Sequence, residues 1–139
     1  MAQTVSDVMT TDLVTCPTTA SIADVARLMR DRDIGDVLVT DDGELRGIVT
    51  DRDIVVRCVA DGADSSRALL TCASTDDLIT VTPDTPIDRA AQIMADRALR
   101  RLPVVDHGRA VGIASIGDLA IERDPKSALG QISAQRPNN

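Results

Sequence analysis

The sequence predicts a mixed α/β protein of the α+β kind, two tandem β-α-β-β-α repeats packed about a pseudo-twofold axis. Three observations predict it. Residues match along the chain at a constant offset of 65, without a gap from Leu13 to Ile54: Leu13-Val14-Thr15 with Leu78-Ile79-Thr80, Ala26 and Met29 with Ala91 and Met94, Gly47-Ile48 with Gly112-Ile113, and Asp53 with Asp118. Within each copy the apolar residues switch between short strand-like runs and a helical face. One copy, about 45 residues without an aromatic side chain, buries too little surface to fold by itself, so the two copies must share a core.

Each copy opens on a short strand, Leu13 to Cys16 and Leu78 to Val81. A polar turn leads into a helix whose apolar residues recur at i, i+3, i+4 and i+7: Ile22, Val25, Ala26 and Met29, then Ile87, Ala90, Ala91 and Met94. Start signals precede both helices, Ser21-x-x-Asp24 in the first and Thr85-Pro86 with Asp88 in the second. Two strands follow, Val37 to Thr40 and Leu45 to Thr50, then Leu102 to Val105 and Ala110 to Ser115. Asp42-Gly43 and His107-Gly108 between them mark tight hairpins. A second helix runs from about Asp51 to Val59 and from about Ile116 to Arg123, where Pro125 prevents continuation. Ala60 to Ser66 reads as a linker. The expected organisation is a first repeat over 1–62, a second over 63–124 and a flexible C-terminal tail over 125–139. Packing the copies together leaves two related clefts along their seam, the usual place for a small ligand.

Composition excludes several functions. A formal charge of −7, spread along the chain, disfavours nucleic acid and anionic membranes. With no Phe, Trp or Tyr, no ring can stack on an unpaired base. The N-terminus has neither a basic start nor an export-length apolar stretch, and no run approaches the roughly 18 apolar residues of a membrane span, so a cytoplasmic location is expected. Cys16, Cys58 and Cys72 form no C-x-x-C pair and each reads as a small buried hydrophobe. A thiol or metal sensor joining them to the only histidine, His107, is the weaker alternative, since His107 lies in a turn far along the chain. No metal site is expected. Nor is catalysis: there is no Gly-rich phosphate loop and no nucleophile with an evident base.

Chemistry concentrates where a strand hands over to a helix, at Thr50-Asp51-Arg52-Asp53 and at Ser115-Ile116-Gly117-Asp118. A Thr/Ser-x-x-Asp at a helix start is a capping arrangement. The same corner suits a nucleotide: an ionised carboxylate can accept both hydroxyls of a ribose, and the hydroxyl and free helix N–H groups can donate to phosphate. Both readings stand on the residues alone.

The opening Val5-Ser6-Asp7-Val8-Met9-Thr10, the strand Arg101-Leu102-Pro103-Val104-Val105 and the run Leu45 to Ile54 resemble a tandem pair of cystathionine-β-synthase (CBS) domains, over roughly Thr4 to Ile121. The resemblance implies Asp53 and Asp118 as ribose-binding residues, with Thr50 and Ser115 beside them and Arg52 next to the first. It implies Thr15-Cys16 and Thr80-Val81 as lining for the base, and Arg100 as a phosphate contact. The copies differ: Gly35-Asp36 stands where the second has Arg100-Arg101, Gly117 where the first has Arg52, and Ala68-Leu69-Leu70-Thr71 lacks the Asp-Val-Met signature. The two clefts are therefore not equivalent.

The expected function is a stand-alone regulatory module that binds an adenosine-type nucleotide, AMP, ADP, ATP or an S-adenosyl compound, as a regulatory ligand with no obligatory cofactor. The alternative is a structural or interaction module with vestigial clefts. A homodimer is expected, because Val55, Val56 and Val59 point outward after Asp53, and any effector must be another chain.

Overall fold

The computed structural model describes residues 3–74, 78–123 and 131–132, the side chains of 121–123 excepted. The expected C-terminal tail lies outside the described residues apart from 131–132. The chain forms two compact units, Val14–Leu78 and Met1–Leu13 with Ile79–Asn139.

In the first unit, strand β1 (Thr15–Cys16) is followed by helix α1 (Ile22–Arg32), strands β2 (Asp36–Asp41) and β3 (Glu44–Thr50), and a second helix that begins as α2 (Asp51–Asp53) and continues as a π-helical segment, Ile54–Val59. The predicted start of α1 is a closed capping box: Asp24 N–H donates to Ser21 Oγ at 3.1 Å, and Ser21 N–H to Asp24 Oδ2 at 3.2 Å. The Ser21 backbone N–H is the main reason the Asp24 carboxyl titrates below its usual range. Ile22, Val25 and Met29 are buried, but Ala26, predicted on the same face, is exposed. The buried stripe centres on Val25 and Met29, and Ala26 lies about 80° round the helix from that centre at roughly 100° per residue. β1 is shorter than the four residues expected; it pairs parallel with β2, Thr15 beside Leu38 and Cys16 beside Val39.

β2 and β3 form an antiparallel hairpin whose turn residues Asp42 and Gly43 have φ of 53° and 83°. Positive φ at both central positions is the turn whose twist matches the strands, which is why Asp-Gly marks it. Val39 pairs with Gly47 and Thr40 with Leu45, so Arg46 is the extra residue of a bulge.

The second unit repeats this plan. Its first strand is reduced to a single parallel bridge, Val81 to Val104, instead of the predicted run from Leu78. Then come α3 (Ile87–Arg97), β4 (Arg101–Asp106), β5 (Arg109–Ser115) and α4 (Ile116–Arg123). His107 and Gly108 have φ of 53° and 81°, and the bulge recurs at Val111. The predicted start signal of α3 is corrected: the N-cap is Pro86, which has no side chain to cap with, and Thr85 Oγ1 instead accepts from Thr82 N–H at 3.1 Å.

One feature of the architecture follows the repeat further than the matched residues do. A 3-10 turn, Leu70–Cys72, packs into the first unit, and its counterpart, Val5–Asp7, packs into the second. Leu70 N–H donates to Ala20 O and Ile22 N–H to Ala68 O; Val5 N–H donates to Thr85 O and Ile87 N–H to Gln3 O, every pair keeping the same offset. Each helix thus receives its lid from the chain that precedes the other repeat. Residues 60–66, read as a linker, are held in the first unit by bonds such as Ala23 N–H to Ser65 O at 2.9 Å. In the second unit the N-terminal segment crosses β5 through paired Thr10–Ile113 bonds, and Gly112 leaves room for it, since a Cβ there would lie 3.1 Å from Thr10 O and 2.5 Å from Met9 Sδ.

The cores are aliphatic. Val37, Val39 and Val49 meet Ile22, Val25, Met29, Ile54, Cys58 and Leu70 in one; Leu102, Val104 and Ala114 meet Val5, Ile87, Ala90, Met94 and Leu119 in the other. Among the described residues no helix is long and apolar enough to cross a membrane.

Candidate functional site

Both strand-to-helix corners are closed capping boxes. In the first unit Asp53 N–H donates to Thr50 Oγ1 at 3.1 Å and Thr50 N–H to Asp53 Oδ2 at 3.2 Å. In the second, Asp118 N–H donates to Ser115 Oγ and Ser115 N–H to Asp118 Oδ2, both at 3.0 Å. A further bond is shared: Asp51 N–H donates to Gly35 O at 3.0 Å, and Ile116 N–H to Arg100 O at 2.8 Å. This fixes Gly35 in one unit, and Arg100 in the other, against the first turn of the following helix.

Capping engages one oxygen of each carboxylate and leaves acceptor capacity on the group, which has about four lone-pair sites. The Asp53 side chain is 22% exposed, so a ligand can still reach it. Its Oδ1 faces Arg57 Nε at 3.9 Å. Sequence reasoning missed Arg57, although an acid four residues before a base on a helix is a recognised signal.

The two corners differ in charge. Across the β2–β3 ladder Thr50 faces Asp36, and Gly35 sits against Asp51, whose Oδ2 would be 3.2 Å from a Cβ at that glycine. Across the β4–β5 ladder Ser115 faces Arg101, with Arg100 exposed beside it. Residues opposite in a ladder present their side chains to one face, with Cβ atoms about 5 Å apart. The first corner is therefore acidic and the second basic. Arg52 is exposed, its backbone N–H donating to Asp51 Oδ1 at 2.8 Å.

The other residues singled out in the sequence stand apart from these corners. Cys16 is level with Val39 and Gly47, which places it two strands and three residues from Thr50, about 10 Å across and about 10 Å along. Val81, level with Val104 and Gly112, stands in the same relation to Ser115. A ligand touching both places must be extended. Cys16 and Val81 are buried, and Thr15 and Thr80 exposed. An open groove of about 530 Å³ runs from Cys16, Pro17 and Ala20 to Asp24 and Leu28 of α1; Thr50, Arg52 and Asp53 do not line it.

The cysteines depart from expectation in one respect. Cys16 and Cys58 are buried, but Cys72 is exposed. Burial, and secondarily the charge of Asp24, pushes the Cys16 thiol up from its ordinary pKa.

The CBS domain family model matches residues 5–59 and 70–123. The chain belongs to the CBS domain family. It is a tandem CBS pair, with one match for each repeat. The CBS domain-containing protein YhcV of Bacillus subtilis is 38% identical over 135 residues, which span 94% of this chain and 96% of that protein. Among solved structures, the CBS domain pair of protein MJ0100, in complex with 5′-methylthioadenosine and S-adenosyl-L-methionine, is similar with a TM-score of 0.81 and 26% identity over 91% of this chain and 100% of the other. Hypoxic Response Protein I, solved with two coordinated zinc ions, is similar with a TM-score of 0.77 and 30% identity over 85% and 97%. The mixed α+β architecture read from the repeat is that of these CBS pairs.

Proposed function

We propose that this CBS pair is a regulatory module that binds an adenosine-type nucleotide, its ribose on Asp53 or Asp118 and its output a change of shape or partner rather than a reaction. The observation that carries this is the recurrence of one hydroxyl–carboxylate corner in both units, each carboxylate keeping acceptor capacity beyond the cap. The adenosine ligands of the MJ0100 pair support the choice of ligand class. Thr50 and Ser115 stand beside the sugar with Arg52 next to the first corner, Thr15-Cys16 and Thr80-Val81 line the base, and Arg100 serves the phosphate end.

A nucleotide that binds only the folded state raises the melting temperature by mass action. Asp53→Ala and Asp118→Ala are each expected to reduce that rise while lowering stability by about 0.5–2 kcal/mol, the usual worth of a helix cap. Thermal shift with AMP, ATP and S-adenosylmethionine, alongside urea denaturation, checks both. If the two variants lost stability by that amount and bound nucleotide like the parent, the corners would be caps alone and the module an interaction protein with vestigial clefts.

We further propose that the module pairs with a second copy through the helix after Asp53. Val55, Val56 and Val59 are 58%, 50% and 60% exposed, an apolar stripe on one short segment. Light scattering at micromolar concentration is expected to return a dimer, and Val55→Asp with Val59→Asp a monomer. A monomeric parent would remove the pairing.

A further inference from the structure

The first unit holds a pair of thiols that nucleotide binding does not use. Cys58 lies in the π-helical segment that continues α2, and is buried among Ile54, Leu70 and Ala73. Cys72 ends the 3-10 turn that Leu70 and Ala73 anchor in that same core, and its side chain is exposed. Leu70 and Ala73, which flank Cys72, share the core in which Cys58 is buried, and Cys72 lies close enough to help raise the Cys58 thiol above its ordinary pKa. Residues 59–67 between them are exposed, and the link requires the two sulfurs to close to bonding distance, about 2 Å.

We propose that Cys58 and Cys72 form a reversible intramolecular disulfide that fastens the helix carrying Asp53 to the Leu70–Cys72 turn. The oxidant is a low-molecular-weight disulfide such as oxidised glutathione. Exposed Cys72 meets it first: the thiol loses its proton to water, the thiolate attacks one sulfur, and one reduced thiol leaves, giving a mixed disulfide on Cys72. Cys58, deprotonated in its turn, attacks Cys72 Sγ and expels the second reduced thiol, so two protein thiols are oxidised and one small disulfide is reduced. Burial first, and Cys72 beside it second, push the Cys58 thiol up from its ordinary pKa, so it stays protonated and leaves the first reaction with the oxidant to exposed Cys72. Cys16, buried on β1, takes no part.

The test treats the full chain with excess oxidised glutathione, blocks remaining thiols in denaturant with iodoacetamide, and maps the digest by mass spectrometry. The expected result is a Cys58–Cys72 linked peptide with Cys16 alkylated, reversed by dithiothreitol, and a melting temperature several degrees higher in the oxidised chain, since the bond closes a loop of about 15 residues. Cys16→Ser should keep the link. Cys72→Ser, an exposed change that leaves the core intact, should abolish both the link and the melting shift. Glutathione retained on Cys72 with Cys58 alkylatable, or a link between the Cys72 residues of two copies, would overturn the proposal.

Discussion

Leu70→Ala is expected to lower the stability of the chain by about 2–5 kcal/mol. Leu70 is 1% exposed and lies in the core of the first unit with Ile22, Val25, Ile54 and Cys58. Truncation removes its transfer free energy and leaves a cavity that backbone bonds on either side, Leu70 N–H to Ala20 O and Ile22 N–H to Ala68 O, keep from collapsing. Leu69 next to it is 48% exposed, and Leu69→Ala should cost no more than about 0.5 kcal/mol. Urea denaturation of the two variants measures the contrast. Equal losses would mean that the turn is surface chain and that each helix has no lid from beyond its own repeat.

That exchange of lids was within reach of the sequence and was not read from it. The offset that aligns Leu13 with Leu78 also aligns Val5 with Leu70 and Gln3 with Ala68, but these pairs share apolarity or nothing, where Gly47 and Gly112 share identity. Which unit a short turn packs into is a tertiary choice, and no local pattern encodes it. The hairpins were legible because their turns demand a backbone that few residues adopt: Asp42-Gly43 and His107-Gly108 answer a steric requirement within two residues. The Ser21 cap was legible for the same local reason. Pro86 was not, since a proline at a helix start satisfies the pattern whether or not the preceding threonine caps. At the corners the sequence named the hydroxyl and the carboxylate but not what stands opposite. The β4–β5 register puts Arg101 across from Ser115, and β2–β3 puts Asp36 across from Thr50, so the difference in charge between the corners emerges only once the strands are paired.

From that difference we expect Arg100→Ala to weaken AMP or ATP by about tenfold or more while leaving adenosine nearly unchanged. A guanidinium holds phosphate oxygens through charge-assisted hydrogen bonds worth roughly 1.5–3 kcal/mol, and each 1.4 kcal/mol is about a factor of ten in affinity. Arg100 is placed for this by its own backbone, whose carbonyl accepts Ile116 N–H at 2.8 Å and so keeps the residue beside the first turn of α4 and the Ser115–Asp118 box. Its side chain is exposed, and the neighbouring register partner of Ser115 is a second arginine. In the first unit the matching position is Gly35, with Asp51 against it and Asp36 next in sequence, so anionic groups repel a phosphate there rather than receive it. If Arg100 is instead a solvated residue near a helix terminus, its worth is a few tenths of a kcal/mol of stability and nothing in binding. Calorimetric titration of parent and variant with adenosine and with AMP separates the two, because only a phosphate contact makes the loss depend on the phosphate. Equal losses for both ligands, or none for either, would take Arg100 out of the site and leave Asp118 and Ser115 to bind a nucleoside without its charge.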